Sequence, residues 1–508
     1  MFRLLVLSFF VAVGLLLTAC SGGSQATSND GAIQDSKTVT APAVVTGLNA
    51  TAEDTRIKVV FGVPDAGGGT IGQYEYAKDG ASWQAIAGLS EVASTRREFM
   101  ISNLMNGVSI EIGVRAVNEA GPGPAATVTA APRESQQLTA GDEHAMALSG
   151  SKLYAWGKAN NGRLGDGTTS GNKPLTRVGD STSWTHVSAG GSHTLALDGD
   201  GQLWSWGQDE IDQLGNGDQK GDVDVPTKVT IPSNPTLVRI RAGQYNSLAI
   251  DDDGGLWVWG HDGSENVSPD NPDNKTVPEK LDGVGGARFT SIAAGYAHSL
   301  ALDDDGRVWS WGKNDKGQLG HGDTTDRDAP VMVQAGDVAS FVSVHASTNL
   351  VNQQTSFALD AKGQVWHWGA EFNNPDATIL SPTQLTNINQ GDPQFVRLAV
   401  GSKHAIAVDR SGQLWTWEDN ADGQLGHDDQ TNRDEPTRVV FPAGETPAPF
   451  VRVTAGGRSS FALDENGNLW TWGSNSGDQL GRGSSLTPDD RDQPVRVQSD
   501  SLPFEINP

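Results

Sequence analysis

Ala294-Gly295-Tyr296-Ala297-His298-Ser299-Leu300-Ala301-Leu302 is followed by Gly306-Arg307-Val308-Trp309-Ser310-Trp311-Gly312 and then by Gly317-Gln318-Leu319-Gly320. Small and apolar residues fill short runs bounded by Gly and Asp, which is the pattern of short strands joined by tight turns. The same order recurs along the chain, with Trp156, Trp206, Trp259, Trp311, Trp368, Trp417 and Trp472 as the second aromatic of the strand. Self-similarity at a period near fifty residues, with four strand-like pieces per unit, signals propeller blades. Seven such tryptophans predict an all-β, seven-bladed β-propeller over residues 135–508.

Each piece of the unit has a physical reason. The Ala-Gly pair lets a strand pass close to its neighbours near a crowded axis. The hairpin from Leu302 to Val308 begins with Asp and ends near Gly, as a turn with a left-handed residue requires. In Trp309-Ser310-Trp311 the alternation sends both indoles to one face, where they can fill the space between blades. Tyr154 replaces the first Trp in the opening repeat. The Gly-x-Leu-Gly turn is present around Leu164, Leu319 and Leu425, stands as Asp-Gln-Leu-Gly around Leu214 and Leu480, and is lost in the third and fifth repeats.

Upstream the pattern changes. Residues 43–132 carry short alternating strands such as Arg56-Ile57-Lys58-Val59-Val60-Phe61 and Ile110-Glu111-Ile112-Gly113-Val114-Arg115-Ala116-Val117, a β-sandwich signature. With Tyr74-Glu75-Tyr76, Trp83, Leu104 and Val114 to Gly121, this segment resembles a fibronectin type III domain. Phe61 stands where that family carries a core Trp, and Ser109-Ile110 where it carries a late Tyr. The resemblance implies adhesion or, more simply, a spacer.

The chain opens with Arg3 and an apolar run from Leu4 to Leu17, the form of a secretory signal and short for a membrane span. Leu17-Thr18-Ala19-Cys20 resembles the bacterial lipobox, which implies cleavage after residue 19 and lipidation at Cys20. Cys20 is the sole cysteine, so it has no internal disulfide to form. Residues 20–42, rich in Ser, Gly and Thr, read as a flexible tether. Ser21 after the Cys favours the outer membrane by the same resemblance, on its periplasmic side or at the cell surface.

The net charge of −26 becomes one unit more negative when Arg3 is cleaved away, which argues against nucleic-acid binding. The abundance of Gly (62) and Trp (15) agrees with an all-β chain. The repeat resembles that of the regulator of chromosome condensation over residues 135–508, in the order Ala-Gly-x-x-His, Trp-Gly, Gly-Gln-Leu-Gly. The founder of that family is a nuclear guanine-nucleotide exchange factor that also contacts nucleosomes, partners an exported lipoprotein would not meet. Fold transfers better than activity.

Four histidines, His144, His193, His298 and His404, share one slot with Asn246 and Ser459. This interchange favours a hydrogen-bonding role within each blade over a metal ring. The turns Asp198-Gly199-Asp200-Gly201, Asp251-Asp252-Asp253-Gly254 and Asp303-Asp304-Asp305-Gly306 lack the Glu a calcium loop needs, so they read as turn chemistry. No nucleophile elbow, zinc motif or phosphate loop is found, so no catalytic, metal or cofactor site is expected. The reading is a membrane-anchored, monomeric protein-binding scaffold. A propeller hydrolase or lyase of the cell envelope is the alternative, and exchange activity ranks last. The binding face is expected at the loops after Trp-Gly, where Asp209, Glu210, Ile211, Asp262, Glu371, Phe372, Glu418 and Asp419 would meet a cationic protein, with Ile211 and Phe372 as anchors. The C-terminal Phe504-Glu505-Ile506 is expected to pair into the first blade and close the ring.

Overall fold

The computed structural model describes residues 39–497, apart from 54–55, 103, 105–108, 131, 133–137, 180–182, 218–220, 262–273, 283, 335–339, 349–353, 372–373, 387, 389–390, 392 and 483–491. The signal segment, Cys20, Asp262, Phe372 and the segment 504–506 lie outside the described residues. All regular structure among them is strand, apart from one 3-10 turn at Asn160–Gly162.

Residues 46–130 form two antiparallel sheets. One pairs Thr46–Glu53, Arg56–Gly62, Arg96–Ile101 and Ser90–Ala93 in that order; the other is built around Gln73–Lys78 and Ile110–Asn118. Alternation decides which side chains meet: Ile57, Val59 and Phe61 are buried while Lys58 and Val60 are not. Phe61 packs on Tyr74 at 5.0 Å and Phe99 at 6.3 Å, so a phenyl ring occupies the core. On the outer side Arg115 pairs with Glu75 at 2.7 Å and lies 4.1 Å from the Trp83 ring centroid.

Seven four-stranded antiparallel sheets follow, numbered here 1 to 7: residues 138–178, 184–228, 237–280, 289–332, 341–384, 395–438 and 450–496. Each uses its four strands in chain order, so no strand crosses between sheets among the described residues. The inner strands carry near-continuous apolar or small residues because both faces are covered, as in His298–Asp303, buried throughout. The outer strands, such as Val223–Lys228, are half exposed.

The core lies between sheets rather than within one. Leu248, Ile250 and Leu256 of sheet 3 pack with Phe289, Ile292 and Trp311 of sheet 4, and corresponding clusters join every successive pair. The cluster of Ala145, Ala147 and Trp156 with Phe461, Leu463 and Leu469 joins sheet 7 to sheet 1. The Gly457 amide also donates to the Gly141 carbonyl at 3.1 Å. The fold is therefore all-β and propeller-like, with first strands from all seven sheets lining one axial cavity.

Candidate interaction face

The loops joining first to second strands and third to fourth strands leave the sheets on one side, and a repeated hydrogen-bond frame holds them. In the Gly-x-Leu-Gly turn the Leu is fully buried, and its amide donates to an Asn side chain five residues earlier: Leu319 to Asn314, Leu425 to Asn420, Leu480 to Asn475. The residue before the Leu offers its main-chain carbonyl to the next sheet. Trp206 donates to Arg163, Trp259 to Gln213, Trp368 to Gln318, Trp472 to Gln424 and Trp156 to Gln479, at 2.7–3.1 Å. The fifth of these bonds runs from sheet 1 back to sheet 7. Sheets 3 and 5 lack the turn. The indole nitrogen of Trp417, which follows sheet 5, has no partner among the described residues.

The shared histidine slot belongs to the same frame and corrects the expectation of a bond within each blade. His144, His193, His298 and His404 reach through Nε2 to Thr194, Ser247, Ser356 and Ser460 of the next sheet at 2.8–3.3 Å. Those hydroxyls donate onward to the carbonyls of Arg163, Gln213, Gln318 and Gln424. A hydroxyl has one proton, so the imidazole must donate from Nε2. Burial agrees with neutral rings: it lowers His193 and His404 to about 3 and His298 to about 4. Asn246 makes the equivalent bond to Ser299 at 2.9 Å. The Gly three residues before the histidine leaves room for this ring, because a Cβ on Gly401 would stand 2.7 Å from His404 Cε1 and 2.4 Å from the Gly456 carbonyl oxygen.

The Asp-rich turns are occupied by their own chain. Asp303 Oδ1 accepts the amides of Asp305 and Arg307, and Oδ2 accepts the Trp309 indole at 2.9 Å. Asp198, Asp360, Asp409 and Asp464 repeat the pattern with Trp204, Trp366, Trp415 and Trp470, and Asp251 likewise accepts the Trp257 indole. No group of three or more His, Cys, Asp or Glu among the described residues stands where it could hold a metal ion.

Of the residues expected at the binding face, three are corrected. Ile211 is 3% exposed beneath its turn, so it packs the sheet and offers no anchor. Asp209 occupies the Asn slot of the turn: its Oδ1 accepts the Leu214 amide at 3.0 Å, and burial pushes its carboxyl up to about 6. Glu418 is also buried, and burial, then Asp434, Glu371 and Asp419, push its carboxyl well above the usual range. Glu210 and Glu371 are exposed; Asp419 is half-buried and accepts from Gln424 at 3.0 Å.

The structure adds residues that sequence reasoning missed. Asp142 of sheet 1 accepts from Gln244 of sheet 3 at 3.2 Å, and burial raises Asp142 to about 6. Beside them Tyr245 and Tyr296 meet edge to face at 5.4 Å, both half-buried. All four occupy the two variable positions of Ala-Gly-x-x-His, and that variability within an otherwise repeated motif was the available signal. Lys158 pairs with Glu143, and Arg458 with Asp422, on the same side. The face can offer rigid aromatic and carboxylate contacts on a preorganised frame.

Comparison with known proteins agrees with this architecture. The RCC1-like domain model matches residues 107–374, more than half of the chain, and the Regulator of chromosome condensation (RCC1) repeat model matches 411–463 and 466–504. The Ultraviolet-B receptor UVR8 of Arabidopsis thaliana is 28% identical over 386 residues, covering 74% of this chain and 84% of the receptor. Human E3 ubiquitin-protein ligase HERC2 is 31% identical over 319 residues, 60% of this chain but 6% of the ligase. Among solved structures, yeast RCC1 (Prp20) bound to Kap60 aligns with a TM-score of 0.58 at 22% identity, covering 70% of this chain and 85% of that one. Prp20p from Saccharomyces cerevisiae, studied with its binding to Gsp1p and histones, aligns at 0.59 and 21%, covering 70% and 87%. The chain belongs to the RCC1-like domain family.

Proposed function

We propose that this chain is a bacterial lipoprotein of the cell envelope, anchored through Cys20, that binds a protein partner on the loop face carrying Tyr245 and Tyr296. In this reading the seven sheets are the blades of a closed seven-bladed propeller over residues 135–508. The two-sheet unit at 43–132 is a fibronectin type III-like spacer, residues 20–42 are the tether, and the anchor sits in the outer membrane. The observation that carries the reading is the frame itself: repeated inter-sheet hydrogen bonds fix the loops, while the residues at their tips differ from sheet to sheet. A fixed frame with variable tips suits recognition, because little ordering entropy is lost on binding. Exposed Glu210 and Glu371, with Asp419, favour a cationic protein, and the sequence puts Phe372 and Asp262 in neighbouring loop positions. A partner of this kind fits a family whose yeast member is described with Gsp1p and histones. The net charge of −26 weighs against nucleic acid.

Two experiments test the reading. Cys20→Ala should release the protein from the membrane fraction or leave its signal uncleaved; a processed variant still extracted only by detergent refutes the anchor. In cross-linking on native envelope, Tyr245→Ala with Tyr296→Ala should abolish the adduct that the parent forms, and Glu371→Lys should weaken it at low salt. An adduct unchanged in both variants refutes this face.

A further inference from the structure

At four junctions between sheets a single carbonyl oxygen, that of the residue before the turn Leu, accepts two bonds from the next sheet. Arg163 receives Thr194 and Trp206, Gln213 receives Ser247 and Trp259, Gln318 receives Ser356 and Trp368, and Gln424 receives Ser460 and Trp472. The Leu itself fills the space beside that indole, as Leu164 does with Met146, Ala155 and Trp206. Sheet 4 carries the same two donors in Ser299 and Trp311, but sheet 3 has no such turn to meet them. The Ser299 hydroxyl accepts from Asn246 at 2.9 Å, which leaves its own proton to donate. Neither that hydroxyl nor the Trp311 indole donates to any group among the described residues.

Beside these two donors lies a cavity of about 80 Å³, walled by Leu248, Val258 and Trp311. Leu248 faces Val258 across the strands as Met146 faces Ala155, and Ser299 faces Trp311 as Thr194 faces Trp206. The cavity therefore stands where a turn leucine stands elsewhere. Trp311 is 6% exposed against 0–1% for its six counterparts, so its edge is open to that space. Exposed Asp328 and half-buried Lys275 line the side that meets solvent, and Ala297, next to Tyr296, lines the loop end. The junction of sheets 5 and 6 also lacks the turn, yet there Ala405 replaces the hydroxyl and Phe357 packs on a fully buried Trp417. Sheets 3 and 4 keep both donors and leave them uncovered. We propose that this cavity is a docking pocket for a leucine-type side chain of the partner protein, whose preceding main-chain carbonyl accepts from Ser299 and Trp311. The chain itself shows which chemistry fits, because a carbonyl followed by Leu satisfies the same donors at four other junctions. Residues 262–273 contain no leucine, and Val267 is their one branched aliphatic residue. An apolar anchor seated in a pocket with its polar neighbours satisfied is the form binding hot spots take. That the occupant belongs to a partner rests on the loop-face reading; the chemistry of the pocket does not.

Titration of the full chain with an end-blocked Gly-Gln-Leu-Gly peptide, followed by NMR of the indole N–H resonances, tests the pocket. No envelope partner is needed, so this test can fail while the Tyr245 and Tyr296 variants still lose their adduct, or succeed when they keep it. The resonance that disappears in Trp311→Phe should shift saturably, while those of Trp259 and Trp368, already bonded, should not. A Gly-Gln-Ala-Gly peptide should bind about tenfold more weakly or worse, because it leaves the apolar walls uncovered. Ser299→Ala should raise the dissociation constant about threefold to tenfold, the scale of one hydrogen bond. Val258→Phe, which fills the cavity, should abolish the shift, and unchanged melting temperatures show that both variants fold. No shift of the Trp311 resonance up to about 10 mM peptide, the weak end of specific binding, overturns the proposal. So does binding that appears only in Val267→Ser, since the chain's own residue would then be the occupant.

Discussion

Glu418 stands where six other repeats carry Gly, at the residue after the second Trp. It pairs with His404 on one side and Arg433 on the other, and the ladder to its outer strand shifts register there, as it does in sheets 1 to 5. The glycines adopt φ of 81° to 105°, and Glu418 adopts 85°. A Cβ built on the glycines would stand 2.4–2.6 Å from a backbone oxygen, so a side chain at this bulge is forced against the first-to-second-strand loop. Glu418→Gly should therefore stabilise the propeller. A left-handed non-glycine residue costs about 1–2 kcal/mol, and the larger unfolded-state entropy of Gly returns about 0.5–1 kcal/mol, leaving a net gain of about 1 kcal/mol at acid pH. The buried carboxyl then adds a pH dependence. Its folded pKa lies above the ordinary 4.5, mainly through burial. Above pH 4.5 the unfolded chain gives up this proton while the folded chain keeps it, so Glu418 loses stability for the parent as pH rises, until the folded pKa is passed. The advantage of the variant should grow by up to about 1.4 kcal/mol per pH unit over that window. Denaturant melts of parent, Glu418→Gly and Glu418→Gln from about pH 4 to pH 7 separate the two effects, because Gln keeps the strain and removes the charge. A Gly variant less stable than the parent at neutral pH refutes the strain argument. Stability differences that stay flat with pH in both variants refute the burial argument.

Trp368→Phe deletes an indole that donates to Gln318, whereas the Trp417 nitrogen has no described partner, so Trp368→Phe should cost about 1 kcal/mol more than Trp417→Phe in the same melts. Equal losses would show that the inter-sheet bond contributes nothing. Gly401→Ala drives a Cβ against both His404 and the Gly456 carbonyl and should destabilise by about 1–3 kcal/mol; a neutral result would mean the strands can part there. Trp311→Ala, buried between sheets 3 and 4, should cost about 3–5 kcal/mol and lower the melt of the whole ring as one transition. A loss below about 1 kcal/mol would contradict its burial.

The period of the repeat carried most of the architecture, because each unit is a self-contained set of four strands whose apolar faces need a neighbour. The loop face was less legible. Asp209 read as surface charge, yet aligning it with Asn314, Asn420 and Asn475 puts it in a slot whose side chain closes the turn. Ile211 read as an anchor because a loop position was assumed to be exposed, while the turn folds it under itself. The Asp142–Gln244 bond was beyond reach, since its two residues sit in variable positions two repeats apart and meet only once the ring is built. The histidines were assigned the right chemistry and the wrong partner for the same reason: a single unit shows no neighbour.

Seven repeats in one chain also act as their own alignment, and their departures come in sets. Ser149 and Tyr154 together replace the Asp and first Trp that bond in sheets 2 to 7. Ser347 and Thr355 together replace the Gly and His of sheet 5, and the Ser347 hydroxyl now accepts the Thr355 amide at 2.9 Å. Where sheet 5 lacks the Gly-x-Leu-Gly turn, the next indole nitrogen, that of Trp417, has no acceptor among the described residues. In the first two cases neighbouring positions change together, which keeps the local geometry of the unit consistent. Glu418 differs, because its cross-strand partner is still His, its neighbours are the acidic Glu371, Asp419 and Asp434, and nothing among the described residues compensates its backbone. A rule broken without compensation is where strain has been retained, which makes the stability gain of Glu418→Gly the measurement that separates a tolerated defect from a position held for use.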